Sequence, residues 1–172
     1  MSTFFNYPHL YDRLIVLDGW SKAYSMTGWR LGWSVWPEKL VEQIIKFCVN
    51  NHSCVNAAIQ YGGIAALDGP DDSINFMMEK FTKRRKLIYE GLNDIEGIEC
   101  VMPGGGFYIF PKVIGAGMNG KDFAKKCLHD AGVAIIPGAA FGTKALDYVR
   151  FSFAASQDNI SKALENIKKM LS

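Results

Sequence analysis

Lys22 stands just after a short apolar run, Arg13-Leu14-Ile15-Val16-Leu17-Asp18, and Arg30 follows eight positions later between Gly28 and Gly32. A lysine at the end of a strand can be desolvated and so become a nucleophilic amine. An arginine beside it can hold a phosphate through its planar fork of donors. The pair describes a pocket for a phosphorylated aldehyde. The bland alternative is a solvated lysine with two ordinary turn glycines, and a short motif alone does not decide between them. A third cation, Arg150, sits between Val149 and Phe151 in an otherwise apolar strand. Turned inward and unpaired, its guanidinium would be very costly, and a ligand carboxylate would supply the bidentate partner. Turned outward on an edge strand, or paired with a structural carboxylate, it would need no ligand.

Elements must place these groups. Residues 13–18 read as a fully buried parallel strand feeding the lysine loop, which puts Lys22 at the carboxyl end of a strand, where α/β sheets bind ligands. Residues 30–36 read as the next strand. Pro37 predicts a helix start, with Leu40, Val41, Ile44, Ile45 and Cys48 as its apolar face. Residues 56–67 predict a second helix. It is apolar nearly all round and interrupted in composition by Gly62-Gly63, which suits a core or a subunit interface. The turn cluster Asp68-Gly69-Pro70-Asp71-Asp72-Ser73 marks a boundary, giving domains 1–72 and 73–172. A helix carrying Met77, Phe81, Ile88 and Leu92 then runs to about Asn93. Residues 97–101 and 106–110 read as a hairpin across Met102-Pro103-Gly104-Gly105. Residues 121–131 read as a helix stopped by Gly132, residues 133–136 and 148–153 as strands, and residues 156–171 as a closing amphipathic helix.

The 172 residues suffice for one ordinary domain or two small ones. A hydrophobic share of 49%, a charged share of 21% and a net charge of +2 are globular values. The one dense basic run, Lys83-Arg84-Arg85-Lys86, points around a helix rather than along one face, which argues against a nucleic-acid partner. Cys48, Cys54, Cys100 and Cys127 show no paired spacing and read as buried thiols of an intracellular, cytoplasmic protein. His9, His52 and His129 lack ligand spacing, so no metal is expected. No segment is long enough for a membrane span, and the first residues lack the basic and cleavage regions of a signal peptide.

The run Ser21-Lys22-Ala23-Tyr24-Ser25-Met26-Thr27-Gly28-Trp29-Arg30-Leu31-Gly32 resembles the Schiff-base signature of class I/II aminotransferases, the fold-type-I enzymes that depend on pyridoxal 5'-phosphate (PLP) and form the aspartate aminotransferase superfamily. Three later stretches resemble the small domain of the same family: Gly104 to Pro111, Val133 to Gly142 and Tyr148 to Phe153. The resemblance covers the carboxyl-terminal half of such an enzyme. It implies an α/β fold, with the end of the PLP-binding large domain in residues 1–72 and an α+β small domain in residues 73–172. It implies that Lys22 bonds to PLP and moves the proton, that Arg30 and Ser21 hold the cofactor phosphate, and that Arg150 grips the substrate carboxylate. Phe107 and the Pro137-Gly138 turn would border the substrate cleft. The implied activity moves an amino group between an amino acid and a 2-oxo acid, in a homodimer. A PLP-dependent C–S β-lyase or a non-catalytic dimerisation module would share these landmarks.

Two departures from the family pattern stand out. Many members carry a phosphate-binding serine three residues before the lysine, where this chain has Gly19. The family also places an aspartate on the pyridine nitrogen and a tyrosine three residues later, but Asp12 and Asp18 are followed at that distance by Ile15 and Ser21. The isolated chain is therefore expected to be inactive.

Overall fold

The computed structural model describes residues 3–172, which gather into two compact units, one ending at Ile74 and the other running Asn75–Ser172. In the first unit, strand β1 (Val16–Gly19) leads into a single helical turn, α1 (Trp20–Ala23), then a 3-10 turn, then strand β2 (Gly32–Val35). The strands pair antiparallel, Val16 opposite Val35 and Gly19 opposite Gly32. This corrects the expectation of a buried parallel strand. The connection between β1 and β2 holds only the four-residue α1 and a 3-10 turn, with no crossover helix of the kind that joins parallel strands, so the chain doubles back beside β1. The ladder is also open to solvent, with Leu17 75% exposed.

Helix α2 (Glu38–His52) begins immediately after Pro37, and α3 (Ala57–Asp68) begins after Asn56, whose side chain accepts from the Ala58 and Ile59 amides. That cap satisfies donors a helix start leaves orphaned. The apolar face of α2 is present but uncovered: among the described residues none of its side chains is buried. Only Gly63 is buried in α3, so this helix does not lie in a core of the chain.

The second unit holds the hydrophobic core. Helix α4 (Asp72–Asn93) contributes Ile88 and Leu92, and helix α6 (Gln157–Leu171) contributes Ile160 and Ile167. The same unit holds a three-stranded antiparallel sheet in the order β3 (Tyr108–Ile109), β5 (Val149–Ser152), β4 (Ile136–Pro137). Strand alternation sends Ile109, Val149 and Phe151 into this core. Helix α5 (Gly120–Lys126) adds Phe123, continues as a π-helical turn through Ala131, and stops where Gly132 adopts φ +67.

The strand expected at residues 97–101 shrinks to one bridge, Glu99 with Lys112. The reason is local. Asn93 at the end of α4 accepts from the Cys100 amide at 3.0 Å and donates to the Cys100 carbonyl at 3.2 Å. A side chain thus takes the place of a strand partner. Pro137 confines β4 to the sheet edge, as a residue with no amide proton must be. No helix among the described residues is long and apolar enough to cross a membrane.

Candidate cofactor and carboxylate sites

The signature residues meet in the first unit. Ser21, Lys22 and Arg30 line one open cleft of about 350 Å³ together with Asp18, Gly19, Leu31 and Gly32. Ser21 and Lys22 ride on α1, which β1 delivers, and Arg30 precedes β2, so the two paired strands carry both sides of the cleft. Lys22 and Arg30 are exposed and Ser21 is half-buried, so this chain does not itself desolvate the amine.

The backbone around them is unusual. Ser25 and Arg30 both have φ +54, a left-handed conformation rare for residues with a side chain. Arg30 Nη1 donates to the Thr27 carbonyl at 3.0 Å, which turns the guanidinium back over its own loop. The two glycines that bracket Arg30 are not equivalent. A Cβ on Gly28 would meet nothing within 4 Å, whereas one on Gly32 would lie 3.2 Å from the Asp18 carbonyl oxygen. Gly19 is more confined still. A Cβ there would lie 2.9 Å from the Leu31 carbonyl oxygen and 3.2 Å from Gly32 Cα. The glycine that replaces the family serine is therefore built into the strand pairing.

The second unit presents Arg150. It lies on β5, the central strand, so it is not an edge residue. Its guanidinium carbon sits 4.2 Å from the centroid of Tyr108 and 4.9 Å from that of Phe141. Among the described residues, none of the ion pairs involves Arg150. Two aromatic faces attract a cation without using its hydrogen-bond donors, so the fork remains open to a carboxylate. Phe110 extends the same aromatic group, stacking on Tyr148 with centroids 5.4 Å apart and meeting Phe141 edge-on at 5.7 Å.

Sequence reading missed Tyr108 and Phe141 and chose Phe107 instead. Phe107 packs half-buried against the core beside Phe81, with centroids 6.1 Å apart. The signal was present in the period of two. Tyr108 stands opposite Ser152 while Ile109 stands opposite the buried Phe151, which puts Tyr108 on Arg150's side of the ladder. Gly138 is there for packing: a Cβ on it would overlap the Ala145 carbonyl oxygen, and its amide donates to the Tyr148 carbonyl at 2.7 Å. The four cysteines are all free, but only Cys127 is buried and Cys54 is exposed, which corrects their reading as buried thiols. Burial pushes the Cys127 thiol up to about 12 and also raises that of Cys100.

A mixed α/β chain with a lysine and an arginine in the connection between two paired strands of one unit and a central-strand arginine in the other fits one class of enzyme. The family model for aminotransferase class I and II matches residues 4–167, and the chain belongs to that family. It is 36% identical over 164 residues to an aspartate aminotransferase from Pyrococcus abyssi, covering 94% of this chain and 42% of that relative. It is 35% identical over 164 residues to aromatic-amino-acid aminotransferase 2 from Thermococcus litoralis, covering 94% of this chain and 42% of that protein. Among solved structures, the aromatic aminotransferase from Pyrococcus horikoshii superposes with a TM-score of 0.94 at 34% identity, over 98% of this chain and 45% of that one. The chain thus spans under half the length of the curated relatives it matches.

Proposed function

We propose that residues 1–72 contribute part of a PLP-binding large domain and residues 73–172 the small domain of an aminotransferase. The carrying observation is the single cleft that Ser21, Lys22 and Arg30 share. Its donor set fits PLP: an amine for the aldehyde, and a guanidinium and a hydroxyl for the phosphate. When bound, PLP supplies an electron sink for the substrate α-carbon. Lys22 holds the cofactor and, once released, accepts and returns the α-proton. Arg30 and Ser21 fix the phosphate end. Arg150, steadied by Tyr108 and Phe141, binds the carboxylate of the amino acid or 2-oxo acid.

The 172-residue chain alone is expected to turn over no substrate. Neither Asp12 nor Asp18 has a tyrosine three residues on, and Lys22 lies open to water. A cytoplasmic homodimer is the setting we propose. Exposed apolar side chains such as Phe47 on α2 and Tyr61 on α3, 64% and 74% exposed, support self-association.

The test compares PLP with pyridoxal, which lacks the phosphate, by absorbance titration of the purified chain. Hydrogen bonds from charged donors are worth about 1.5–3 kcal/mol, so PLP should bind roughly 10- to 100-fold tighter. Arg30→Ala should remove most of that preference. Equal binding of the two aldehydes by the unsubstituted chain would overturn the phosphate reading.

A further inference from the structure

Gly62 and Gly63 lie in the middle of α3, in a stretch otherwise rich in alanine. Each glycine in a helix interior costs about 0.8–1.0 kcal/mol relative to alanine. Helix formation therefore does not ask for them, and their surroundings give the reason. A Cβ on Gly63 would lie 2.5 Å from Leu31 Cδ2 and 3.4 Å from the Trp20 ring. A Cβ on Gly62 would overlap the Trp29 ring. The Trp20 indole N–H donates to the Gly63 carbonyl at 3.1 Å. The glycine pair is thus the seat for both ends of the signature loop: Trp20 just before Ser21 and Lys22, and Trp29 and Leu31 on either side of Arg30.

The seat explains how the left-handed backbone of Arg30 persists. A non-glycine residue at φ +54 is strained and holds only where its neighbours over-determine it. Leu31 is 7% exposed, so its side chain can yield only against its neighbours, whereas Trp29 is 45% exposed and could swing outward. Gly63 is therefore the decisive position of the two.

We propose that the Gly62-Gly63 pair, and Gly63 above all, is a positioning device that seats Trp20, Trp29 and Leu31 and so fixes where Lys22 and Arg30 point. The effect on ligand binding rests on the reading of the cleft as a phosphorylated-aldehyde site. The seating itself does not. Gly63 touches no cofactor in this scheme and acts only through the loop it holds.

Two measurements on the 172-residue chain separate these layers. Hydrogen exchange read by mass spectrometry over residues 20–32 reports the seating. The ratio of PLP to pyridoxal affinity reports the direction of Arg30. Gly63→Ala should speed exchange over residues 20–32, leave residues 75–172 unchanged, and cut the PLP preference about tenfold, the scale of an overpacked contact. Gly63→Ala combined with Leu31→Val, which removes the clashing methyl, should restore both. Trp20→Phe adds no volume, keeps one aromatic ring and removes the indole N–H. It should lose about fivefold of the preference through the missing hydrogen bond.

If Gly63→Ala exchanges like the unsubstituted chain, the seating is wrong and the inference falls. If exchange speeds up but the PLP preference is kept, Gly63 is merely structural, which also overturns it. If the unsubstituted chain shows no preference for PLP, the cofactor reading fails, and exchange alone still decides the seating.

Discussion

Replacing Arg150 by methionine separates a ligand-binding arginine from a structural one. The guanidinium rests near two aromatic rings, at 4.2 and 4.9 Å, and none of the described ion pairs includes it. Each such contact is worth about 0.5–1 kcal/mol, so the substitution forfeits about 1–2 kcal/mol. Methionine returns part of that through its own contact with the rings and by removing a half-buried charge that must be desolvated. The net cost to stability should be about 0–1 kcal/mol. Breaking a structural buried ion pair would instead cost about 3–5 kcal/mol. A carboxylate ligand, by contrast, should lose the whole charge-assisted pair, about 1.5–3 kcal/mol, or roughly 10- to 100-fold in affinity. Urea unfolding followed by circular dichroism gives the first quantity. Titration of the chain with pyruvate, a minimal 2-oxo acid, followed by NMR of the β5 amides gives the second. A loss of more than about 3 kcal/mol, or unchanged pyruvate affinity, would refute the carboxylate role.

Other outcomes follow from single positions. Gly19→Ser, the change toward the common family residue, should destabilise the first unit by about 1–3 kcal/mol, because its Cβ would strike the Leu31 carbonyl and Gly32 Cα; an unchanged melting temperature would contradict this. Asn93→Ala should cost about 1 kcal/mol and speed exchange of the Cys100 amide, which loses its acceptor. Cys54 should react with a disulfide reagent at once and Cys127 only on unfolding, since Cys54 is exposed and Cys127 is buried. The Cys127 thiol is raised in the folded state to about 12, so its contribution is full below the unfolded value near 9 and is lost as pH rises through that window. Stability measured between pH 9 and 12 should fall accordingly, and less steeply for Cys127→Ala.

Local signals carried much of the fold. Asn56 and Ser156 cap α3 and α6 with their own side chains, and Gly132 ends the α5 segment in the left-handed region. Such features depend on a few neighbouring residues and are readable from a sequence. Strand pairing was less legible. The residues at 97–101 carry the right composition, but Asn93, several positions upstream, competes for the Cys100 backbone. The direction of the β1–β2 pair depended on how the intervening loop folds. In the candidate sites, the lysine and arginine types and their spacing pointed to the chemistry, and alternation could have selected Tyr108 over Phe107. Phe141 and the Gly62-Gly63 seat had no local signal. Both act through contacts with residues far along the chain, and a glycine's missing side chain says nothing of what fills the space.

The most direct measurement is covalent. The purified chain is mixed with PLP, reduced with borohydride, digested, and mapped by mass spectrometry for the pyridoxyl group. Lys22 should carry the label in clear excess over exposed lysines such as Lys46, and Arg30→Ala should erase that excess. Label spread evenly over the lysines, or concentrated on any other one, would contradict the assignment of Lys22 as the cofactor-binding amine.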